Sequence, residues 1–249
     1  MQKEKCLLIE KQKQYNSLED VIDNLESINH KLSVRTQSLD DLLKLKSENI
    51  IRTEINKYNL GKKMLALRDS KIGDCVKFGL YEQDDYLKPK GKKDIEWIVI
   101  DRNQTTVLVI SKDNIEYLPY QKESESVFNW NSYCWDKSSI KKWLNNEFLD
   151  TSFSDFEKST IYNVTLLNAE EARRYLSVSQ RACKSTPYVI SKAKFPPSSW
   201  ALRDLTANNA WCMAVLTADA NPSMVGNIKV GGNVCSPRGI RPVVRINLP

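Results

Sequence analysis

Residues 1–60 contain neither glycine nor proline; the first glycine is Gly61 and the first proline is Pro89. Proline stops a helix by lacking an N–H and clashing with the preceding turn, and glycine weakens one through backbone entropy. A stretch this long without either predicts a continuous helix. Leu18, Leu25, Leu32 and Leu39 recur every seven residues. With these at position d of a heptad, the a positions are Tyr15, Ile22, Asn29, Thr36, Leu43 and Ile50. That pattern predicts a coiled-coil oligomerisation helix over residues 1–70, with further copies of the same chain as partners. Asn at an a position favours a parallel arrangement in fixed register, and Leu at d suits a dimer. Thr36, and the apolar g residues Val21, Ile28 and Leu42, keep a trimer open. The competing expectation is one amphipathic helix packed on its own domain. Beyond Leu39 the d positions become Lys46 and Thr53, and Ile50, Ile51 and Ile55 suggest a register shift. Gly61 then reads as a cap or hinge.

From Ile72 the texture changes, and residues 71–249 are expected to form one globular domain. Cys75 to Gly79 reads as a short strand, and the polar stretch from Tyr81 to Lys93, broken by Pro89 and Gly91, as a loop. Ile95–Asp101 and Thr105–Ser111 are β-branched runs that predict a hairpin. Ser138 to Leu149 predicts a helix with Ile140, Trp143, Leu144 and Phe148 on one face. Ser154 and Asn168 fit helix caps, the first leading a short helix to about Tyr162 and the second followed by Glu171 at its third position. The remainder is rich in Asn, Ser, Thr and Gly and ends in one strand, Gly239 to Leu248. The fold class is therefore α+β.

Charge limits the partners. Residues 1–71 hold 14 Lys and Arg against 11 Asp and Glu, and residues 72–249 hold 23 against 20, so the net +6 is spread out. A nucleic-acid or membrane surface calls for clustered positive charge, and its absence argues against nucleic acid as a partner. No apolar run reaches the length of a membrane span, and the N-terminus has no signal-peptide pattern, so membrane insertion is not expected and the cytoplasm is the expected location. The six cysteines include no CxxC pair and His30 is the only histidine, which predicts no metal and no cofactor. Without a secretory signal, free thiols are the default, with a Cys212–Cys235 disulfide as the lesser alternative.

Several stretches carry a resemblance: Glu96-Trp-Ile-Val-Ile-Asp, Leu108-Val-Ile-Ser-Lys-Asp, Ser138-Ser-Ile-Lys-Lys-Trp-Leu-Asn-Asn-Glu-Phe-Leu, Phe153-Ser-Asp-Phe-Glu-Lys-Ser, Trp200-Ala-Leu-Arg and Gly239-Ile-Arg-Pro-Val-Val-Arg-Ile. Together they resemble a widespread bacterial domain of unknown function. That domain is similar to the C-type-lectin-like fold of formylglycine-generating enzymes and of the variable proteins of diversity-generating retroelements. The resemblance covers most of the second domain and none of residues 1–70. It implies a fixed framework whose last third displays ligand-contacting side chains. Here that segment is about Asp204 to Pro237, with Asn208, Asn209, Trp211, Met213, Asn221, Ser223, Met224, Asn227 and Lys229 as contacts. The mixture itself is paratope-like, since Asn and Ser give adaptable hydrogen bonds while Trp and Met give apolar area. The plainer alternative is a set of Asn-rich turns with Trp211 in the core. Arg203 and Arg241 match framework positions and are expected to make structural hydrogen bonds.

No catalytic residue is assigned. The lone histidine lies in the helix, Glu170-Glu171 and Asp84-Asp85 are adjacent rather than convergent, and no phosphate-binding loop is present. The formylglycine-generating branch holds copper with two closely spaced cysteines, whereas Cys212 and Cys235 are 23 residues apart. Trp130, Tyr133 and Trp135 crowd one short stretch and are expected to be framework packing, with a sugar or peptide platform as the lesser alternative. The functional expectation is a non-catalytic, oligomeric display protein that binds a protein or glycan ligand, as the variable protein of a diversity-generating retroelement does, in the cell or on a phage particle. Two alternatives stand beside it: an intracellular scaffold or regulator whose coiled coil recruits a partner, and an enzyme of the formylglycine-generating type.

Overall fold

The computed structural model describes residues 2–123, 133–207 and 210–249, and for residues 2–9 and 12–19 the backbone alone. Helix α1 runs unbroken from Gln2 to Asp69. Gly61 therefore neither caps nor hinges it, and a Cβ added there would meet nothing within 4 Å. Contacts divide the chain into two compact units, Met1–Lys57 and Tyr58–Pro249. The last turns of α1 thus belong to the second unit. No described helix is long and apolar enough to cross a membrane.

The first unit is a helix whose described apolar side chains, from Val21 on, lie in solvent. Ile22, Leu25, Ile28, Leu32, Leu39, Leu43 and Ile50 all lie exposed, Leu25 and Leu39 at 60% each. Thr36 and Thr53 satisfy their hydroxyls inside the helix, donating to the Leu32 and Asn49 carbonyls at 3.0 and 2.8 Å.

The second unit is α+β and built on two five-stranded sheets. Strands β1 (Cys75–Glu82), β2 (Lys92–Arg102), β3 (Thr106–Ser111), β10 (Val243–Asn247) and β5 (Ile161–Thr165) form the first, antiparallel throughout, in that spatial order. Strands β4 (Glu116–Leu118), β9 (Arg238–Ile240), β6 (Ser199–Leu205), β7 (Trp211–Leu216) and β8 (Ile228–Asn233) form the second, where β6 and β9 run parallel. The expected hairpin is β2–β3, with Ile98 opposite Ile110. The expected loop after Gly79 is partly strand: β1 continues to Glu82 across a bulge between Lys77 and Leu80. Gly79 sits in that bulge at φ +71°, where an added Cβ would lie 2.5 Å from the Phe153 ring, so both backbone and space require glycine.

Both faces of the first sheet are covered. Val76, Phe78, Trp97, Val99, Val107, Val109 and Ile246 face one cluster, which Met64 and Leu67 of α1 and Ile140, Leu144 and Phe148 complete. Ile98, Ile100, Leu108, Ile110 and Val243 face a second cluster with Leu176, Trp200 and Leu202. That double burial is why β2 and β3 read as unbroken β-branched runs rather than alternating ones. Each such side chain contributes roughly 1.5–3 kcal/mol. The central helical stretch consists of α2 (Ser139–Trp143), a π-helical turn at Leu144–Phe148 and α3 (Leu149–Ser152). Ser138 caps it by accepting the Lys141 N–H. Helix α4 (Asp155–Lys158) is shorter than expected and gives way to β5. The Asn168–Glu171 capping box opens α5 (Ala169–Tyr175) as expected. Two further helices, α6 (Val178–Arg181) and α7 (Pro187–Ala193), precede β6.

The expected terminal strand is two strands in different sheets. Arg241 and Pro242 separate β9 from β10, and Arg241 is the pivot. Its guanidinium is fully buried and donates to the carbonyls of Ser111 (2.9 Å), Gln180 (2.8 Å) and Lys112 (3.2 Å), 5.1 Å from the Trp200 ring. Arg203 holds the Leu166 carbonyl at 2.9 Å and Glu171 at 2.7 Å. Both arginines thus make structural hydrogen bonds. Gly239 lets the buried Asn114 side chain approach, since a Cβ there would lie 2.5 Å from it.

Candidate functional site

The segment expected to contact ligand is carried by the β7–β8 hairpin and the turns around it. Asn208 and Asn209 lie outside the described residues. Trp211 opens β7 and is 44% exposed, so it is a surface residue rather than a core one. It lines a recess of about 460 Å³ with Thr206, Ala207 and Val230. Met213 is half-buried against the second cluster and pairs with Val230 across the strands. Side chains alternate along a strand, so Trp211, Met213 and Val230 share one face. Lys229, opposite Ala214, is exposed on the other face.

The remaining residues form a second group at the far end of the hairpin. Asn221 caps a 3₁₀ turn, Pro222–Met224, and accepts from the Ser223 N–H at 3.1 Å and the Ser223 hydroxyl at 2.9 Å. Met224 is 39% exposed, and Asn227 donates its N–H to the Met224 carbonyl at 3.0 Å. The strand rise puts roughly 17 Å between Trp211 and the loop end of β7. The structure therefore brings Trp211 and Met213 together at one place and Asn221, Ser223, Met224 and Asn227 at another, with Lys229 on a separate face. All but Met213 of the described seven are exposed.

The cysteines make no disulfide in this region. Cys75, Cys134, Cys183, Cys212 and Cys235 are free. The Cys212 thiol is buried between Arg238, whose Nε donates to it at 3.3 Å, and the Gly232 carbonyl at 3.7 Å. The Cys183 thiol, buried beside Asn114, is pushed up to about 11, chiefly by burial. No group of three metal-ligating side chains occurs among the described residues. Tyr133 is buried and Trp135 packs against the same core, while Trp130 lies outside the described residues.

Two carboxylate clusters join residues far apart in sequence, and only the Ser154–Glu157 cap within the second has a local signal. Glu116 of β4 is buried, and its oxygens accept from Lys192 Nζ (2.7 Å), Tyr81 Oη (2.8 Å), Tyr188 Oη (3.3 Å) and the Tyr117 N–H (2.6 Å). Burial first, then the Glu116 charge, raises both tyrosines far above the ordinary phenol value. They are therefore donors locked in the neutral form, and every Glu116 oxygen is engaged. The cluster ties β1, β4 and α7 together and leaves no free base. Glu157 of α4 is the second. It accepts from Lys63 Nζ (2.7 Å), the Gly79 N–H (3.3 Å), and the Ser154 N–H and hydroxyl (2.9 Å each). Burial opposes its charge, but Lys63 and Ser154 outweigh burial and hold the carboxyl below its ordinary value. A third charged region, a small cleft lined by Lys77, Lys93, Glu96 and Lys112, is largely self-neutralised by the Lys112–Glu96 and Lys93–Asp84 pairs.

Comparison with known proteins matches one part of the chain. Residues 104–179 match a domain of unknown function, DUF6273. The matched stretch runs from β3 through α5 into α6. It contains Glu116 and Glu157 and none of the nine expected contact residues. No curated protein and no solved structure matches the chain.

Proposed function

We propose that this protein is a non-catalytic, oligomeric ligand-binding protein that presents a C-type-lectin-like domain, of the kind found in the variable proteins of diversity-generating retroelements, and contacts a protein or glycan through its C-terminal loops. The observation that carries the reading is the row of apolar side chains, from Ile22 to Ile50, held in solvent on α1. A helix does not keep such a row exposed without a partner at ordinary concentration, because its burial is the main favourable term in association. The second support is the exposed Trp211, Met224 and Val230, set among Asn and Ser on a two-sheet framework. Aromatic and thioether side chains with adaptable amides suit a binding surface carried by rigid strands.

The experiment has two arms. Light scattering on the full chain gives the mass in solution; a monomer ends the reading at its first step. The full chain is then applied to an array of defined glycans, alongside Trp211→Ala and Met224→Ala. Both side chains are exposed, so each variant is expected to melt within a few degrees of the parent, the substitutions costing about 0.5 kcal/mol. Binding to any glycan recognised by the parent is expected to fall at least tenfold. Unchanged binding by both variants would move the site away from the β7–β8 hairpin.

A further inference from the structure

We infer that identical chains associate through α1 in parallel and in register, over the heptads from Leu18 to Ile50, and that the association ends before Leu60 because the globular unit has taken the remaining core positions of the same heptad repeat; this rests on the oligomeric reading proposed above. The repeat that sets Leu18, Leu25, Leu32 and Leu39 at d continues without insertion or deletion along the single helix. It sets Leu60 and Leu67 at d and Met64 at a. Beyond Ile50–Ile55 the core residues thus return to the phase set by Leu18–Leu39. Leu67 is fully buried, Met64 is nearly so, and Leu60 packs on the same cluster within the second unit. Upstream, the a and d residues Ile22, Leu25, Leu32, Leu39, Leu43 and Ile50 are exposed. Between the two stretches lie Thr53 at d and Lys57 at a, residues that give a second helix nothing apolar to pack on, and Lys46 at d already interrupts the first stretch near its end. One repeat thus serves two purposes, intermolecular at one end and intramolecular at the other, with a polar break between them.

Charge and polar layers choose the second copy and its direction. The e positions are Glu19, Glu26, Ser33, Asp40, Ser47 and Glu54, which include four acids and no base. Antiparallel helices bring e against e, so the acids would face one another, and like charges at such positions oppose pairing. Parallel, in-register helices instead bring each g residue to the e residue five positions on in the partner. Arg35 at g then meets Asp40 at e of the second copy. The seam contains one amide, Asn29, which finds its counterpart at the same layer only when the copies are parallel and in register. Thr36 makes no such demand, because its hydroxyl is already bonded to Leu32.

Disulfide cross-linking of the full chain tests this. In a background with Cys6, Cys75, Cys134 and Cys235 changed to Ser, single cysteines are placed by L25C, L39C and L60C and the chains are exposed to a mild oxidant. Leu60 is the partly buried member of its trio, so L60C leaves Met64 and Leu67 in the core. L25C and L39C are both expected to give disulfide-linked dimers, and L60C at least tenfold less. Light scattering on the same samples separates the two ways of failing. A monomer overturns the oligomeric reading and this register with it. An oligomer in which L25C and L39C do not both cross-link is not parallel and in register. An oligomer in which L60C cross-links as readily as L39C has a seam running past the globular unit. Either result overturns the inference while the oligomeric reading stands.

Discussion

Single residues decide where this chain can bend, bury and bond. Gly61 sits in the interior of α1 with open space where a Cβ would be. Glycine there costs backbone entropy that nothing in the fold requires, so Gly61→Ala is expected to stabilise the chain by about 0.5–1 kcal/mol, read as a raised denaturation midpoint at unchanged slope. The opposite holds at Gly79, where φ is +71° and Phe153 fills the space. Sequence alone cannot separate these two glycines, because each stands in a stretch without other breakers. Arg241 was legible: an arginine inside Gly-Ile-Arg-Pro, flanked by apolar residues, must find acceptors once buried, and it finds three carbonyls. Glu116 was not, because its partners come from positions 81, 188 and 192 and no local pattern links them. Sequence leaves Trp211 open between core and surface, and at 44% exposed it lies on the surface.

Elements are held to one another by a few charged ties, and the clearest joins the end of α1 to α4 and β1. Glu157 binds Lys63 of α1, the Gly79 N–H of β1 and its own cap residue Ser154. Arg102 of β2 adds a second tie by donating to the carbonyls of Arg68 and Ser70, where a helix end is short of donors. Because the Glu157 carboxyl is held below its ordinary value, the sign of its linkage is fixed: its contribution is fully present above the ordinary carboxylate range and is lost as pH falls through the folded value. Glu157→Gln is therefore expected to cost about 1.5–3 kcal/mol at pH 7, the range for hydrogen bonds to a charged group. Denaturant unfolding of parent and variant from pH 7 to pH 3 should show the gap closing as the parent's carboxylate is protonated; a gap independent of pH would assign the cost to packing instead. The Ser154 and Asn168 caps that position these elements were readable, since cap chemistry is local. The second sheet was not. Strands β7 and β8 are separated by an Asn- and Ser-containing turn, β6 and β7 bury successive residues, and β8 sets Ile228 and Val230 among Lys229, two glycines and Asn233 with none of them buried, so no period of two marks these strands.

For the whole molecule, the proposed function makes multivalency the consequence of joining an exposed heptad helix to the globular unit. If each chain contributes one weak contact through the β7–β8 hairpin, linking chains through α1 turns later contacts into intramolecular events, and avidity exceeds single-site affinity by up to ~10²–10⁴ where the geometry allows. The two contributions separate cleanly by mutation. Leu25→Glu with Leu32→Glu places charge at two exposed d positions of the first unit, whereas the globular unit begins at Tyr58 and draws on Leu60, Met64 and Leu67. The double variant is expected to fall to monomer mass with the thermal transition of the globular unit unchanged. On a surface coated densely with a glycan that the parent binds, its apparent affinity should drop by about 10² or more, while on a sparsely coated surface the two should converge. Equal binding at both densities would mean that the helix serves something other than avidity, such as recruiting a different helix. A loss equal at both densities would mean that the variant has damaged the contact surface itself. Only a density-dependent loss ties the exposed row on α1 to the surface around Trp211 as two halves of one binding device.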